Sequence, residues 1–177
     1  MQIAYPHQPV LRGKLIFWTL DKMLAMHSCL HFHRGAWKLT TSDLLAYPPG
    51  SLGRRIGSFL QSNHLEPIPK VERHDVFHVL TAYGTDTVDE VALQVFLLGN
   101  GKRSLFNLLA AGSCLLLPDY WSVFQVAFRR GRRARNISDY HFQSLLQENY
   151  ADIMRYFITC DSVQPDLEQR IQAAYKH

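Results

Sequence analysis

HDVFHVLTAYGTDTVDE, residues 74–90, is the stretch on which the reading of this chain turns. On a helix, His74 and His78 stand about 40° apart around the axis and roughly 6 Å apart along it, so both imidazoles reach one cation. Tyr83-Gly84-Thr85-Asp86 punctuates a helix expected over 71–82, and a second apolar helix follows from about Val88 to Leu98. Packed as a hairpin, the pair brings Glu90 on the first turn of the second helix toward the last turn of the first. Asp75, about 100° around the helix from His74, either completes the ligand set or orients a histidine from behind it. The candidate metal ligands are therefore His74, Asp75, His78 and Glu90. A plainer reading of the same residues stays open, in which Thr87 caps the second helix, Glu90 reciprocates in a capping box, and the histidines are ordinary helix residues.

Around this hairpin the chain reads as one all-α domain, a multi-helix bundle spanning 1–177. At 177 residues with 47% hydrophobic content it is large enough to bury a sizeable core, and it holds neither strand-like alternation of useful length nor an internal repeat. Residues 1–10, with Pro6 and Pro9, are expected to form an irregular arm, and Leu11–Phe32 a deeply packed apolar helix. His27, His31 and His33 near its end read as core or surface histidines rather than ligands. Pro48-Pro49-Gly50 stops a short stretch over 36–46, Ser51 is placed to cap a helix to about Ser62, and Pro67 and Pro69 force an extended run before the motif. Arg54 and Arg55 sit at that helix start, against its dipole, where they either meet an anion or face solvent. Gly99-Asn100-Gly101 reads as a helix stop, and Ser104 opens Leu105–Leu117, whose Ala110, Ala111 and Gly112 suit close packing. Pro118-Asp119 starts another helix that runs into an arginine cluster, Ser138 caps a helical region to about Ile158, and a polar helix in 161–177 is expected to be loosely attached.

Composition narrows the function. The net charge of +4 is a mild bias toward anionic partners, and the longest apolar stretch is too short to span a bilayer, which takes about 20 residues. Cys29, Cys114 and Cys160 lie in apolar stretches without close spacing, so they are expected to be buried and reduced, as in the cytoplasm. With no cysteine near the motif, nitrogen and oxygen donors point to zinc or iron in a functional role. Arg129, Arg130, Arg132, Arg133 and Arg135 exceed what helix capping needs. The run lacks aromatic interleaving, so nucleic acid is not an expected partner.

The motif His-Asp-x-x-His, eleven residues, Glu resembles that of the ubiquinone (coenzyme Q) biosynthesis proteins of the Coq-four type, matched at His74, Asp75, His78 and Glu90. The segment PPGSLGRRIGSFLQSNHLEPIP before it (48–69) and AFRRGRRARNI after it (127–137) are similar to the family's flanking segments. The resemblance covers most of the chain from about 48 to 158. It implies a metal-dependent oxidative decarboxylation, replacing the carboxylate at carbon one of a polyprenylated benzoate-type ring with a hydroxyl, together with a part in organising the biosynthetic complex. The alternative is a non-catalytic prenyl-lipid-binding scaffold.

For either role the expected substrate or headgroup residues are Arg73, Arg129, Arg130, Arg132 and Arg133. The expected partners are a polyprenylated quinone precursor or prenyl lipid, a membrane surface, other quinone-biosynthesis proteins and a second copy in a homodimer. No Arg- and Ser-rich transit segment opens the chain, so a bacterial protein, cytoplasmic and peripherally membrane-associated, is expected. Two other readings rank lower. A phosphohydrolase would need His64 and Asp119 beside His74-Asp75, and an electrostatic nucleic-acid binder would use the arginines alone.

Overall fold

Most of the described helices begin where a short polar side chain answers the open backbone amides. The computed structural model describes residues 36–69 and 71–175, so the expected arm, the Leu11–Phe32 helix, His27, His31, His33 and Cys29 lie outside the described residues. Thr40 and Asp43 form a reciprocal capping box on α1 (Thr41–Leu45). Ser51 caps α2 (Leu52–Ser62), as its sequence position predicts. Helices α3 (Glu72–Thr81) and α4 (Thr87–Gly99) form the expected hairpin, and Ser104 caps α5 (Leu105–Gly112). Two 3-10 turns, Ser113–Leu116 and Pro118–Tyr120, lead into α6 (Trp121–Arg133). After a further 3-10 turn at Phe142–Leu145, α7 (Tyr150–Met154) widens into a π turn over Arg155–Thr159, and α8 (Pro165–Ala173) closes the chain. The described residues are thus all-α, and their only β pairings are isolated bridges at Ser51–Asn149 and Tyr140–Tyr175.

The core is organised around α4, which buries Val88, Val91, Ala92, Leu93, Phe96 and Leu97. Two glycines let α4 and α6 meet backbone to backbone. A Cβ on Gly99 would overlap the Phe128 carbonyl, and one on Gly131 would overlap the Phe96 carbonyl. Beside this crossing the buried Asn100 amide donates to the carbonyls of Gly131 (3.0 Å), Ala134 (3.2 Å) and Arg135 (3.0 Å), while its oxygen accepts from Ile137 N–H at 2.9 Å. One side chain thus absorbs the open end of α6 and fixes the exit of the chain. Helix α3 is held from the other side, where the Tyr150 hydroxyl donates to the Val79 carbonyl at 3.0 Å and Phe77 meets Phe142 edge to face.

Several expectations change here. The helix predicted from Ser138 starts only at Tyr150, under an Asn149 cap, and Ser138 is a buried residue whose hydroxyl has no partner among the described residues. The intervening backbone bonds outward instead: Leu146 and Glu148 carbonyls accept from Gly53 and Leu52, and His141 N–H donates to Ala174. Helix α8 is seated rather than loose, because Leu167, Ile171 and Ala174 are buried in the shared core. Arg54 donates to the Leu45 carbonyl at the end of α1, and Arg55 lies over the Tyr150 ring at 5.4 Å, so both have protein partners. Cys160 is exposed and Cys114 half-buried, against the expectation of buried thiols. Cys160 adopts a left-handed backbone (φ 60°) that ends the π turn, a surface position set by chain geometry rather than by its apolar neighbours.

The crossing yields a prediction. Gly131→Ala forces a methyl into the Phe96 carbonyl and is expected to lower stability by about 3 kcal/mol, read as the midpoint of urea unfolding. An unchanged midpoint would show that the two backbones can separate freely.

Candidate metal centre

Three donors converge at the start of α4. His78 Nε2 lies 3.0 Å from His74 Nε2 and 3.2 Å from Glu90 Oε1, and His74 Nε2 lies 3.4 Å from Glu90 Oε2. Donors held at about 2.0–2.1 Å around a tetrahedral cation sit roughly 3.3 Å apart, so these separations fit a divalent ion without rearrangement. The donor set, two imidazoles and a carboxylate, suits zinc or iron. His78 is 3% exposed, whereas His74 and Glu90 keep 18% and 20%, so the cluster is open to solvent on their side. Among the described residues there are three protein donors with an open side, the pattern of reactive rather than purely structural sites.

The local fold explains the convergence. Asp86, not Thr87, caps α4, its carboxylate accepting from Val88 N–H (2.9 Å) and Asp89 N–H (3.0 Å). With the cap supplied by Asp86, Glu90 is released from the capping-box reading and turns to the histidines. Helix α3 ends at Ala82 in the left-handed region (φ 59°), and this sharp turn carries the Tyr83 carbonyl back to His78 Nδ1, 3.2 Å away. A proton held on Nδ1 by that carbonyl leaves the Nε2 lone pair facing the cluster. Phe59 of α2 stacks on the same imidazole, ring centroids 5.4 Å apart, and fixes its plane. The turn itself is secured from α6, where Arg130 donates to the Thr81 carbonyl at 2.9 Å and lies over the Tyr83 ring at 5.0 Å.

Charge in the cluster is shared. Burial pulls His74 below its ordinary pKa, reinforced by His78. Burial also pulls on His78, but its bond and charge contacts with Glu90 and the Tyr83 carbonyl outweigh that pull, and its pKa rises. Burial pushes Glu90 up, yet the bonds to His74 and His78 hold it well below the usual carboxylate range. Glu90 is thus favoured as the carboxylate, and its negative charge favours the protonated form of His78 beside it.

Of the four predicted ligands, the structure brings together His74, His78 and Glu90, whose ligand atoms all lie within 4.8 Å of one another. Asp75 is not among them, because the 100° step along α3 turns it from the face that His74 and His78 share. It stays close in charge: burial pushes its carboxyl up to about 7, with Glu72 and Glu90 adding to the rise and His78 opposing it. The predicted arginines are dispersed. Arg73 donates to the Ser138 carbonyl at 2.8 Å, Arg130 is committed to the hairpin turn, and Arg129, Arg132 and Arg133 are exposed on α6. Sequence reasoning missed Lys102, whose charge contributes to depressing His74 and which lies over the Phe77 ring at 5.2 Å. It also missed Asp86, although an aspartate directly before an apolar helix is a readable cap. Phe59 and the Tyr83 carbonyl left no sequence signal. His64 and Asp119 belong to no ligand cluster among the described residues.

The fold and site together define an all-α domain carrying a two-histidine, one-carboxylate cluster on a helical hairpin. The same fold is found in the crystal structure of a candidate ubiquinone biosynthesis protein of Nostoc punctiforme PCC 73102, with a TM-score of 0.55 and 18% identity over 85% of this chain and 82% of that one. No protein-family model and no curated protein matches the sequence.

A prediction concerns Asp75. Its folded-state pKa of about 7 stands above the ordinary 3.8, so the native state keeps a proton that the unfolded chain has lost. Stability of the metal-free protein should then fall as pH rises from about 4 to about 7. Asp75→Asn removes that fall. It is expected to raise the melting temperature at about pH 8 and leave it unchanged near pH 4, whereas a pH-independent difference would contradict the assignment.

Proposed function

We propose that this chain is a ubiquinone or prenylquinone biosynthesis protein that holds a divalent metal at His74, His78 and Glu90 and works on a polyprenylated, benzoate-type ring at a membrane surface. The observation that carries the proposal is the convergence of the two Nε2 atoms and the Glu90 carboxylate, on a fold shared with the candidate ubiquinone biosynthesis protein of Nostoc punctiforme. The motif resemblance implies the reaction, an oxidative decarboxylation in which the bond from the ring to its carboxylate breaks, carbon dioxide leaves and a hydroxyl takes its place; dioxygen would be the oxidant and the source of that oxygen, its second atom going to water with two electrons from an external donor. Zinc or iron bound there supplies positive charge for a phenolic or carboxylate oxygen, and iron also supplies access to dioxygen chemistry.

The chain's own groups have distinct tasks in this reading. The Tyr83 carbonyl and the Phe59 ring hold His78 in one tautomer and one plane. Lys102 and Arg73, both over the Phe77 ring (5.2 and 5.8 Å), supply cationic charge for the ring carboxylate. Arg73 and Arg130 are bonded to backbone carbonyls of other elements, and Arg129 only to the Gln125 carbonyl one turn back on its own helix, so the headgroup role proposed for the arginines falls mainly to the exposed Arg129, Arg132 and Arg133. Asp75, with a pKa of about 7, is the group able to take up or release a proton beside the cluster. The partners proposed are other quinone-biosynthesis proteins and a second copy of this chain.

The test is element-specific metal analysis of purified protein beside His78→Ala and Glu90→Ala, after loading with zinc or, anaerobically, with iron. Near-stoichiometric metal is expected in the parent protein. Both substitutions are expected to lower affinity about tenfold or more while circular dichroism stays helical. Full occupancy in both variants would remove the site. Complementation of a quinone-deficient strain by the His78→Ala protein would favour the scaffold reading over catalysis.

A further inference from the structure

The outer face of α5 and the start of α6 is apolar and uncovered among the described residues. Leu105 and Leu115 are each 72% exposed, and Leu108, Leu109, Leu116 and Trp121 are also exposed. Along α5, Leu105, Leu108, Leu109 and Gly112 fall within about 60° of one line, while Ala110 and Ala111 on the opposite side are buried. Scattered surface leucines need no explanation, but a continuous face of them does. Core packing accounts for the small residues of this segment and leaves its leucines unassigned.

The charges around the face say what covers it. Between Arg103 and Arg129 the sequence holds one charged side chain, Asp119. Arg103 and Lys102 precede the apolar stretch in the sequence and Arg129, Arg132 and Arg133, exposed on the last turns of α6, follow it; the Asn100 bond to the Gly131 carbonyl sets both basic rims of the stretch beside the α4–α6 crossing. A symmetric contact with a second copy would bring these basic rims together. An anionic lipid surface instead takes the leucines into its acyl boundary and the arginines onto its headgroups, and Trp121 suits the level between them. None of the described helices is long and apolar enough to cross a membrane, so such contact lies in the plane of the interface.

We infer that the α5 face, with the start of α6, docks this protein on an anionic bilayer, with Arg129, Arg132 and Arg133 reading the headgroups. The inference deepens the membrane part of the proposed function and rests on that reading only for the presence of a lipid surface.

The experiment is cosedimentation of the full chain with phosphatidylcholine vesicles, pure or carrying about one-third phosphatidylglycerol. Binding is expected to the anionic vesicles, weakening as salt rises. A Leu108→Ser, Leu109→Ser, Leu115→Ser variant should bind about tenfold or more weakly, and an Arg129→Gln, Arg132→Gln, Arg133→Gln variant should lose the preference for the anionic vesicles. All six substitutions are at exposed positions, and unchanged circular dichroism and metal content in both variants keep the result specific to this face. Equal binding of parent and leucine variant overturns the inference. So does absence of vesicle binding, whether the parent protein stays monomeric or self-associates through the leucines. Metal lost from the parent protein with vesicle binding retained would sink the metal site alone.

Discussion

The closeness of α4 to α6 is the constraint on which the rest of the described structure depends. Side chains longer than hydrogen at Gly99 and Gly131 would drive the two backbones apart. At the present spacing Asn100 reaches three carbonyls of the α6 exit, and Arg130 reaches the Thr81 carbonyl across the hairpin turn. The turn then presents the Tyr83 carbonyl to His78, and the first turn of α4 presents Glu90. Fold and site are thus linked through backbone hydrogen bonds, which tolerate little change in helix separation.

The electrostatics of the cluster follow from the same enclosure. A carboxylate and two imidazoles held this close in a largely buried setting carry one proton more readily than none. Asp75, one residue along and turned from the shared face, feels the same burial without a bonded partner among the described residues, and its carboxyl rises to about 7 as a result.

The site was legible where its geometry is local. One helical turn places His74 beside His78, and a helix that starts nine residues after His78 brings Glu90, on its first turn, to them, so the cluster is largely a matter of local spacing. Asp75 was left open between a ligand and a group behind the histidines, and its place a 100° step around α3 leaves it outside the cluster of three. The arginine run is the opposite case. Read as one patch it hides Arg130 as a clamp on the turn and Gly131 as the packing contact, roles that exist only once α6 lies on α4. The stretch from Ser138 to Glu148 has helical composition, yet its backbone is satisfied by residues 52, 53 and 174, far away in sequence. The helical class, the caps at Ser51 and Ser104 and the hairpin boundaries are local and were readable. The outward leucines of α5 carry the same pattern as core leucines, and only burial distinguishes them.

The central claim is that a proton shared by His74, His78 and Glu90 gives way to a metal ion. It is tested most directly by titrating zinc into the metal-free protein calorimetrically, in buffers that differ in ionisation enthalpy. The account predicts proton release on zinc binding that is greatest at low pH and declines toward none as pH rises and His78 loses its proton beforehand. Zinc binding with no proton release at low pH would contradict it, and would place the ion away from these three side chains.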